Sequence, residues 1–282
     1  MSTTGETGSP DGSGEREYLL GTSSEELRRL GFQHQVWAEN TAAAWRHAGF
    51  RPGQRLLDAG CGPGFASFDL ARLVGDEGEV VAVDLSQRFL THLEAEAKQR
   101  EIGNIVCSLQ DVENLDLPSC SFDGAFARWL LCFTARPEAV VSGVARALRQ
   151  GGRFVVIDYV RYDGFTIAPS SEAFRRVIRT TGKSFRMRGG SGDIGQDLPR
   201  LLTSSGFVVE RINPIVRVGR PGTALWKWPE SFFASFLHTL VDLALITESD
   251  SREFTEEWEV RSADPAAFFI TPPMVEIIAA RQ

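Results

Sequence analysis

The feature that most constrains the fold is one turn, Asp58-Ala59-Gly60-Cys61-Gly62-Pro63-Gly64, with apolar Leu56-Leu57 before it and a helix-forming stretch from Phe65 after it. Its glycines let the backbone bend sharply and let a ligand approach with no Cβ in the way. A helix that begins at the end of such a turn offers free N–H groups and the positive end of its dipole. Alone, the turn does not choose a ligand, because dinucleotide-binding proteins use a similar device. Their spacing, however, is Gly-x-Gly-x-x-Gly, whereas this turn is Gly-x-Gly-x-Gly with Pro63 inside it.

Around the turn, short apolar runs alternate with helical periodicity. The pattern predicts strands at 55–59, 80–83, 105–109, 122–128, 154–157, 208–212 and 275–280. It predicts helices at 65–74, 86–100, 137–149 and 198–205, with Ser86 as a cap and Glu94/Lys98 as an i,i+4 pair. Strand–helix alternation of this kind specifies an α/β fold, a doubly wound and mostly parallel seven-stranded sheet. Before it, residues 1–15 are Gly, Ser, Thr and acid, the composition of a disordered leader. A helical cap is expected over 16–50. It opens on the capping-box spacing Ser23-x-x-Glu26 and carries Leu27, Leu30, Val36, Trp37 and Ala44 at helical intervals until Gly49 stops it. The main domain then runs over 51–282, interrupted at 160–195 and 220–272 by helical insertions of the sort that form lids or binding walls.

Composition excludes some partners. The chain of 282 residues has a net charge of −7, the wrong sign for a nucleic-acid partner. Its four cysteines, Cys61, Cys107, Cys120 and Cys132, show no metal-ligand spacing and are expected as buried free thiols, with no metal. No apolar run approaches the roughly 18 residues of a membrane span. A soluble, cytoplasmic protein with no membrane partner is the expectation.

Acids follow three of the strands. Asp58 precedes the turn, where it disfavours an anionic pyrophosphate and suits an ammonium group. Asp84 ends the second strand and Asp111 follows the third. Taken with Leu56 to Gly64, the stretch Val81-Ala82-Val83-Asp84-Leu85-Ser86 and the later Phe122-Asp123-Gly124-Ala125-Phe126 resemble, in order and spacing, the motifs of class I S-adenosylmethionine-dependent methyltransferases. The resemblance covers roughly residues 50–160 and implies a Rossmann-like methyltransferase fold with S-adenosyl-L-methionine as cofactor. It implies that the turn, through Gly60, Cys61, Gly62 and Gly64, packs against the amino-acid part and ribose of the cofactor, with Asp58 beside its ammonium. Asp84 would accept from the ribose hydroxyls, with Leu85 against adenine. Asp111, with Gln110 and Val112, would hold the adenine edge, and Arg128 would line the methionine end. Tyr18-Leu19-Leu20-Gly21 with Glu26, Arg29-Leu30 and Gln33 is similar to the lead-in of a subgroup acting on small molecules, which makes Tyr18 and Gln33 further cofactor contacts.

Each residue also has a bland alternative. Asp58, Asp84 and Asp111 are all of a type that caps turns and helices, and Arg128 serves equally in a surface ion pair. The acceptor is less legible. Tyr159 and Tyr162 follow the fifth strand, and His238 lies in a helix expected over 232–245; these three are the candidates for substrate chemistry. Trp129, Trp226, Trp228, Phe232, Phe233 and Phe236 suit either an apolar or aromatic acceptor pocket or a plain core. The basic run Arg175, Arg176, Arg179, Lys183, Arg186 and Arg188 reads first as a solvated helix face. The function expected is methyl transfer to a small molecule by in-line displacement. A protein or RNA acceptor, a nicotinamide-dependent oxidoreductase and a silent cofactor-binding module stay open beside it.

Overall fold

The computed structural model describes residues 24–187 and 189–282. The expected leader, the start of the cap with Ser23, and both Tyr18 and Arg188 lie outside the described residues. The elements run α1 (Ser24–His47), β1 (Arg55–Ala59), α2 (Phe65–Val74), β2 (Glu79–Asp84), α3 (Gln87–Gln99), β3 (Ile105–Leu109), β4 (Phe122–Arg128), α4 (Pro137–Ala147) and β5 (Leu148–Tyr159). There follow β6 (Thr166–Ala168), α5 (Glu172–Met187), α6 (Leu198–Ser204), β7 (Phe207–Ile215), β8 (Val218–Gly219), α7 (Ala224–Asp242), α8 (Glu248–Ser262), β9 (Phe268–Ile270) and β10 (Met274–Arg281).

Seven strands form one sheet in the order β3-β2-β1-β4-β5-β10-β7. Pairings among the first five are parallel, and β10 runs antiparallel to both β5 and β7. Within β2 and over residues 154–157 of β5 the apolar residues run without a break, as they must when a parallel sheet is covered on both faces. The chain winds outward through β2 and β3 and then returns to place β4 on the other side of β1, so a crevice opens where the order reverses. Asp58, Asp84, Arg128 and Tyr159 lie at or next to the carboxyl ends of β1, β2, β4 and β5, and register keeps them level: Asp58 pairs with Ala82 and Phe126, and Arg128 with Ile157.

The two insertions form one layer. Strands β6, β9 and β8 make a three-stranded antiparallel sheet joining segments from 160–195 and 220–272 with Val218–Gly219 just before the second. Its rings share one aromatic core, with Trp226 stacked on Trp258 at 4.7 Å and Phe165 edge-on to Phe174 and Phe269 at 5.1 and 5.3 Å. Arg261 of α8 ties the layer down by donating to the carbonyls of Pro169 and Ser170 at 2.7 and 2.8 Å.

Several boundaries differ from the sequence pattern. β5 begins at Leu148 rather than Phe154, because the chain passes through Gly151-Gly152 in a bulged register that pairs Leu148 with Phe122 and Arg153 with Gly124. Helix α4 therefore stops at Ala147. Helix α7 starts at Ala224, not 232, since Thr223 caps it by accepting from Trp226 N–H, and it runs through Pro229. On α1 the buried face is Glu26, Arg29, His34, Trp37, Thr41, Ala44 and Trp45, more polar than its apolar spacing implied. Of the cysteines, Cys61 and Cys132 are buried, Cys107 is half-buried and Cys120 exposed; all four are free. The basic run lies along α5, where Arg175 pairs with Glu172, and Arg176 pairs with Asp250 and Glu253 of α8. No helix among the described residues is long and apolar enough to cross a membrane.

Candidate active site

The glycine turn forms one floor of a cleft of about 1200 Å³, mouth included, at the carboxyl ends of β1, β4 and β5. Gly60, Gly62 and Gly64 all have left-handed φ values, +68°, +54° and +83°, a conformation that strongly favours glycine. Their surroundings differ. A Cβ on Gly64 would run into Leu93 of α3, and one on Gly60 into Leu130, whereas beyond Gly62 nothing lies within 4 Å. Gly64 thus serves helix packing, and Gly62 leaves room in the cleft. Asp84 braces the turn: its Oδ2 accepts from Gly62 N–H at 2.8 Å and its Oδ1 from Ser86 N–H at 2.9 Å.

Beside the turn stand the buried Asp58 and the half-buried Arg128, close enough for their charges to act on one another. Asp58 is 2% exposed, and Ser67 Oγ donates to its Oδ2 at 2.6 Å. Its Oδ1 has no hydrogen bond among the described residues. Burial raises its carboxyl to about 6; the Ser67 hydroxyl and the Arg128 charge oppose the rise, and Asp84 adds to it. Burial also raises Asp84, against the three backbone N–H groups it accepts from. Arg128 is drawn away from solvent, burial lowering it to about 10. Its Nη1 donates to Thr41 Oγ1 at 2.6 Å and its Nη2 approaches His34 Nδ1 at 3.2 Å. Because arginine only donates, His34 accepts at Nδ1 and donates from Nε2 to Asp69 Oδ2, at 2.9 Å. That bond is the first cause holding the Asp69 carboxyl below its ordinary range.

Aromatic rings wall the rest of the cleft. Trp129 and Trp228 lie nearly parallel, 6.2 Å apart and 17° between planes. Tyr159 stacks on Trp129, and Tyr162 stands edge-on to Tyr159 at 5.1 Å. Burial pushes both phenols well above their ordinary range, so they stay protonated and serve as hydrogen-bond donors rather than bases. From α1, Arg29 is clamped by both oxygens of Glu26 at 2.6 Å.

The structure brings together Gln33, Asp58, Gly60, Cys61, Gly62, Asp84, Arg128, Tyr159 and Tyr162 as lining of this one cleft. It places others elsewhere. His238 is exposed on α7 and outside the cleft, so its candidacy for substrate chemistry falls. Leu85, Gln110, Asp111 and Val112 are not among its lining residues but stand next to Asp84, whose carbonyl accepts from Gln110 N–H at 3.1 Å. Asp111 spends both oxygens on Glu113 N–H and Asn114 Nδ2, capping a short 3-10 turn. The Gln110 side chain bridges Ser108 and Asp116. Among the described residues Arg128 makes no ion pair; it is a half-buried donor to α1. Of the aromatic set, Trp129, Trp228, Phe232 and Phe233 line the cleft, while Trp226 and Phe236 belong to the core. Sequence reasoning missed Thr41 and His34. Their signal was the run Gln33, His34, Trp37, Thr41 at i,i+3/i+4 spacing, mostly polar on a helix face where an apolar one was sought.

An open sheet of this order, with a glycine turn after its first strand and acids after the next two, defines the class I methyltransferase fold. The methyltransferase-domain family model matches residues 50–203, more than half of the chain, and the chain belongs to that family. The resemblance carried by Leu56 to Gly64 and Val81 to Ser86 is borne out at this level. A ubiquinone/menaquinone biosynthesis C-methyltransferase of Teredinibacter turnerae is 30% identical over 45% of this chain and 50% of its own length. A nocamycin O-methyltransferase of Saccharothrix syringae is 37% identical over 36% of this chain and 37% of its own. An uncharacterised transposon protein of Streptomyces fradiae is 34% identical over 62% of this chain and 49% of its own. The chain thus spans about half the length, or less, of these relatives. Among solved structures, the [4+2]-cyclase SpnF matches with a TM-score of 0.58 at 18% identity, covering 88% of this chain and 81% of that one. The geranyl diphosphate C-methyltransferase of Streptomyces coelicolor matches with 0.56 at 16%, covering 94% and 87%.

Proposed function

We propose that the chain transfers a methyl group from S-adenosyl-L-methionine to a small-molecule acceptor. The observation that carries the reading is a single cleft with two unlike halves: glycine turn, acids and Arg128 at one end, aromatic walls at the other. The donor set fits the cofactor. Asp58 offers the unpartnered Oδ1 of a buried carboxylate to an ammonium group, and Arg128 sets a positive charge near it for a carboxylate. Asp84 keeps a lone pair on each oxygen for ribose hydroxyls, next to the open space over Gly62. Leu85, Gln110, Asp111 and Val112 are proposed to flank the adenine.

When bound, S-adenosyl-L-methionine supplies an activated methyl group on a sulfonium sulfur. The chain's own residues then position and exclude water. Fixing the reacting partners in a dry site is worth about 7–11 kcal/mol in favourable cases. The walls Trp129, Trp228, Phe165 and Phe185 leave the acceptor little water to retain. Names of the relatives that point to quinone, nocamycin and geranyl diphosphate methylation support an acceptor of small-molecule size. Calorimetric titration with S-adenosyl-L-methionine and with NAD tests the reading. S-adenosyl-L-methionine should bind at micromolar concentration and NAD not at all; tighter binding of NAD would end it.

A further inference from the structure

The acceptor half of the cleft is equipped with hydrogen-bond donors. Tyr159 and Tyr162 are 8% and 6% exposed, yet neither phenolic oxygen has a partner among the described residues. Among the described residues the fully enclosed unpartnered side-chain atoms are the Nε1 groups of Trp37 and Trp45, so neither hydroxyl is sealed off, and both tyrosines line the cleft. Gln33 adds a third donor. Its Oε1 takes bonds from Arg29 Nη1 and Trp228 Nε1, each at 3.1 Å. Those two donors settle which end of the amide is oxygen. Its Nε2, with two N–H groups, is left without a partner among the described residues. Burial is the main cause that raises both phenols; Asp158 adds to the rise at Tyr159, and the positive charge of Arg29 opposes it at both. The same cleft is lined by the rings of Trp129, Trp228 and Phe165, with Phe165 stacked on Trp228 at 6.2 Å.

We infer that the acceptor is a flat, largely apolar molecule that binds as an oxyanion (an ionised enol, phenol or carboxyl), with Tyr159, Tyr162 and the Gln33 amide donating to the anionic oxygen. The inference rests on the methyltransferase reading of this cleft and names its substrate class. Charge-assisted hydrogen bonds are the strong ones, and a site rich in unpaired donors rejects a molecule that leaves them unmet. An acceptor that arrives as the anion has already shed its proton to water. Methylation at that oxygen then forms one carbon–oxygen bond and breaks one carbon–sulfur bond, whose electron pair stays on sulfur. No proton moves within the cleft, which agrees with tyrosines that cannot take one.

The test compares 4-hydroxycoumarin, a flat enol ionised at neutral pH, with coumarin, its neutral parent. Both are titrated calorimetrically into the full chain, with and without S-adenosylhomocysteine. The enolate should bind at least about tenfold tighter, and Tyr159→Phe with Tyr162→Phe should remove most of that margin, weakening the enolate far more than coumarin. Equal affinities in the unaltered chain overturn the inference, and that comparison decides by itself if a variant does not fold. So does a margin that survives both substitutions. Failure of S-adenosylhomocysteine to bind while the margin persists sinks the cofactor reading alone; its binding with no margin sinks this inference alone.

Discussion

Asp58 shows how one buried side chain links stability to ligand binding. Its folded carboxyl titrates at about 6, above the ordinary 3.8, mainly because burial penalises the charge. A group raised in this way stabilises the fold while protonated. The contribution is complete below about pH 4 and is lost as pH climbs through about 6, a swing of about 3 kcal/mol. Asp158, likewise raised by burial to about 6, moves stability in the same direction, so an unfolding curve does not isolate Asp58. Binding does. An ammonium group pairs with the ionised form only, so affinity for S-adenosyl-L-methionine should rise between about pH 5 and pH 7 and then level off. In Asp58→Asn it should be about tenfold weaker at pH 7 and flat across that range. Calorimetry over the pH series checks this, and a wild-type profile without an inflection near 6 would count against an ammonium partner.

At the scale of elements, α1 is held to the sheet by a polar chain that runs Asp69, His34, Arg128, Thr41. Arg217 adds a second tie by donating to Val36 O at 2.6 Å. Removing the central link with His34→Ala leaves Asp69 and Arg128 each short of one partner. The expected cost is about 1–2 kcal/mol in stability, with faster amide exchange in α1 and little change in β1 and β4. A uniform change across the protein, or none, would show that α1 does not depend on this chain. The same helix shows where sequence patterning stops. Its length and its stop at Gly49 were plain, as were the seven strands, because periodicity and β-branched runs are local properties. Which face of α1 is buried was not, since that face meets a cleft lined with Asp58 and Arg128 rather than an apolar sheet. Boundaries failed for related reasons. Gly151-Gly152 reads as a stop but lies inside β5, where pairing with β4 continues across a register shift. Asp58, Asp84 and the turn were legible as a site because a glycine turn confines what can stand around it. Whether Trp228 or Trp226 would face the cleft was set by how α7 packs against α1 and α8, which no local pattern carries.

For the whole molecule, the sheet and the insertion layer divide the work. The match to a cyclase at a TM-score of 0.58 shows that the shared fold does not by itself name a reaction. Above the sheet stands a wall built from chain segments on either side of α6 and β7. The hydrophobic core runs without a break from β1 and β4 through Trp37 to Trp228, Phe165, Phe174 and Phe269. That continuity predicts one cooperative unit rather than a sheet with a loosely attached cap. Phe269 is a demanding place to test it. The ring is fully buried, packs on Phe165, Trp226 and Trp258, and occupies the space left by Gly219, where a Cβ would collide with it. Phe269→Ala should cost about 3–5 kcal/mol. Urea unfolding followed by tryptophan fluorescence reports the layer, and far-ultraviolet circular dichroism reports the sheet and helices. Both curves should shift together, with midpoints in agreement and slope unchanged. If fluorescence moves first and circular dichroism stays, the layer unfolds on its own, and the aromatic wall of the cleft is only loosely coupled to the floor that carries the glycine turn.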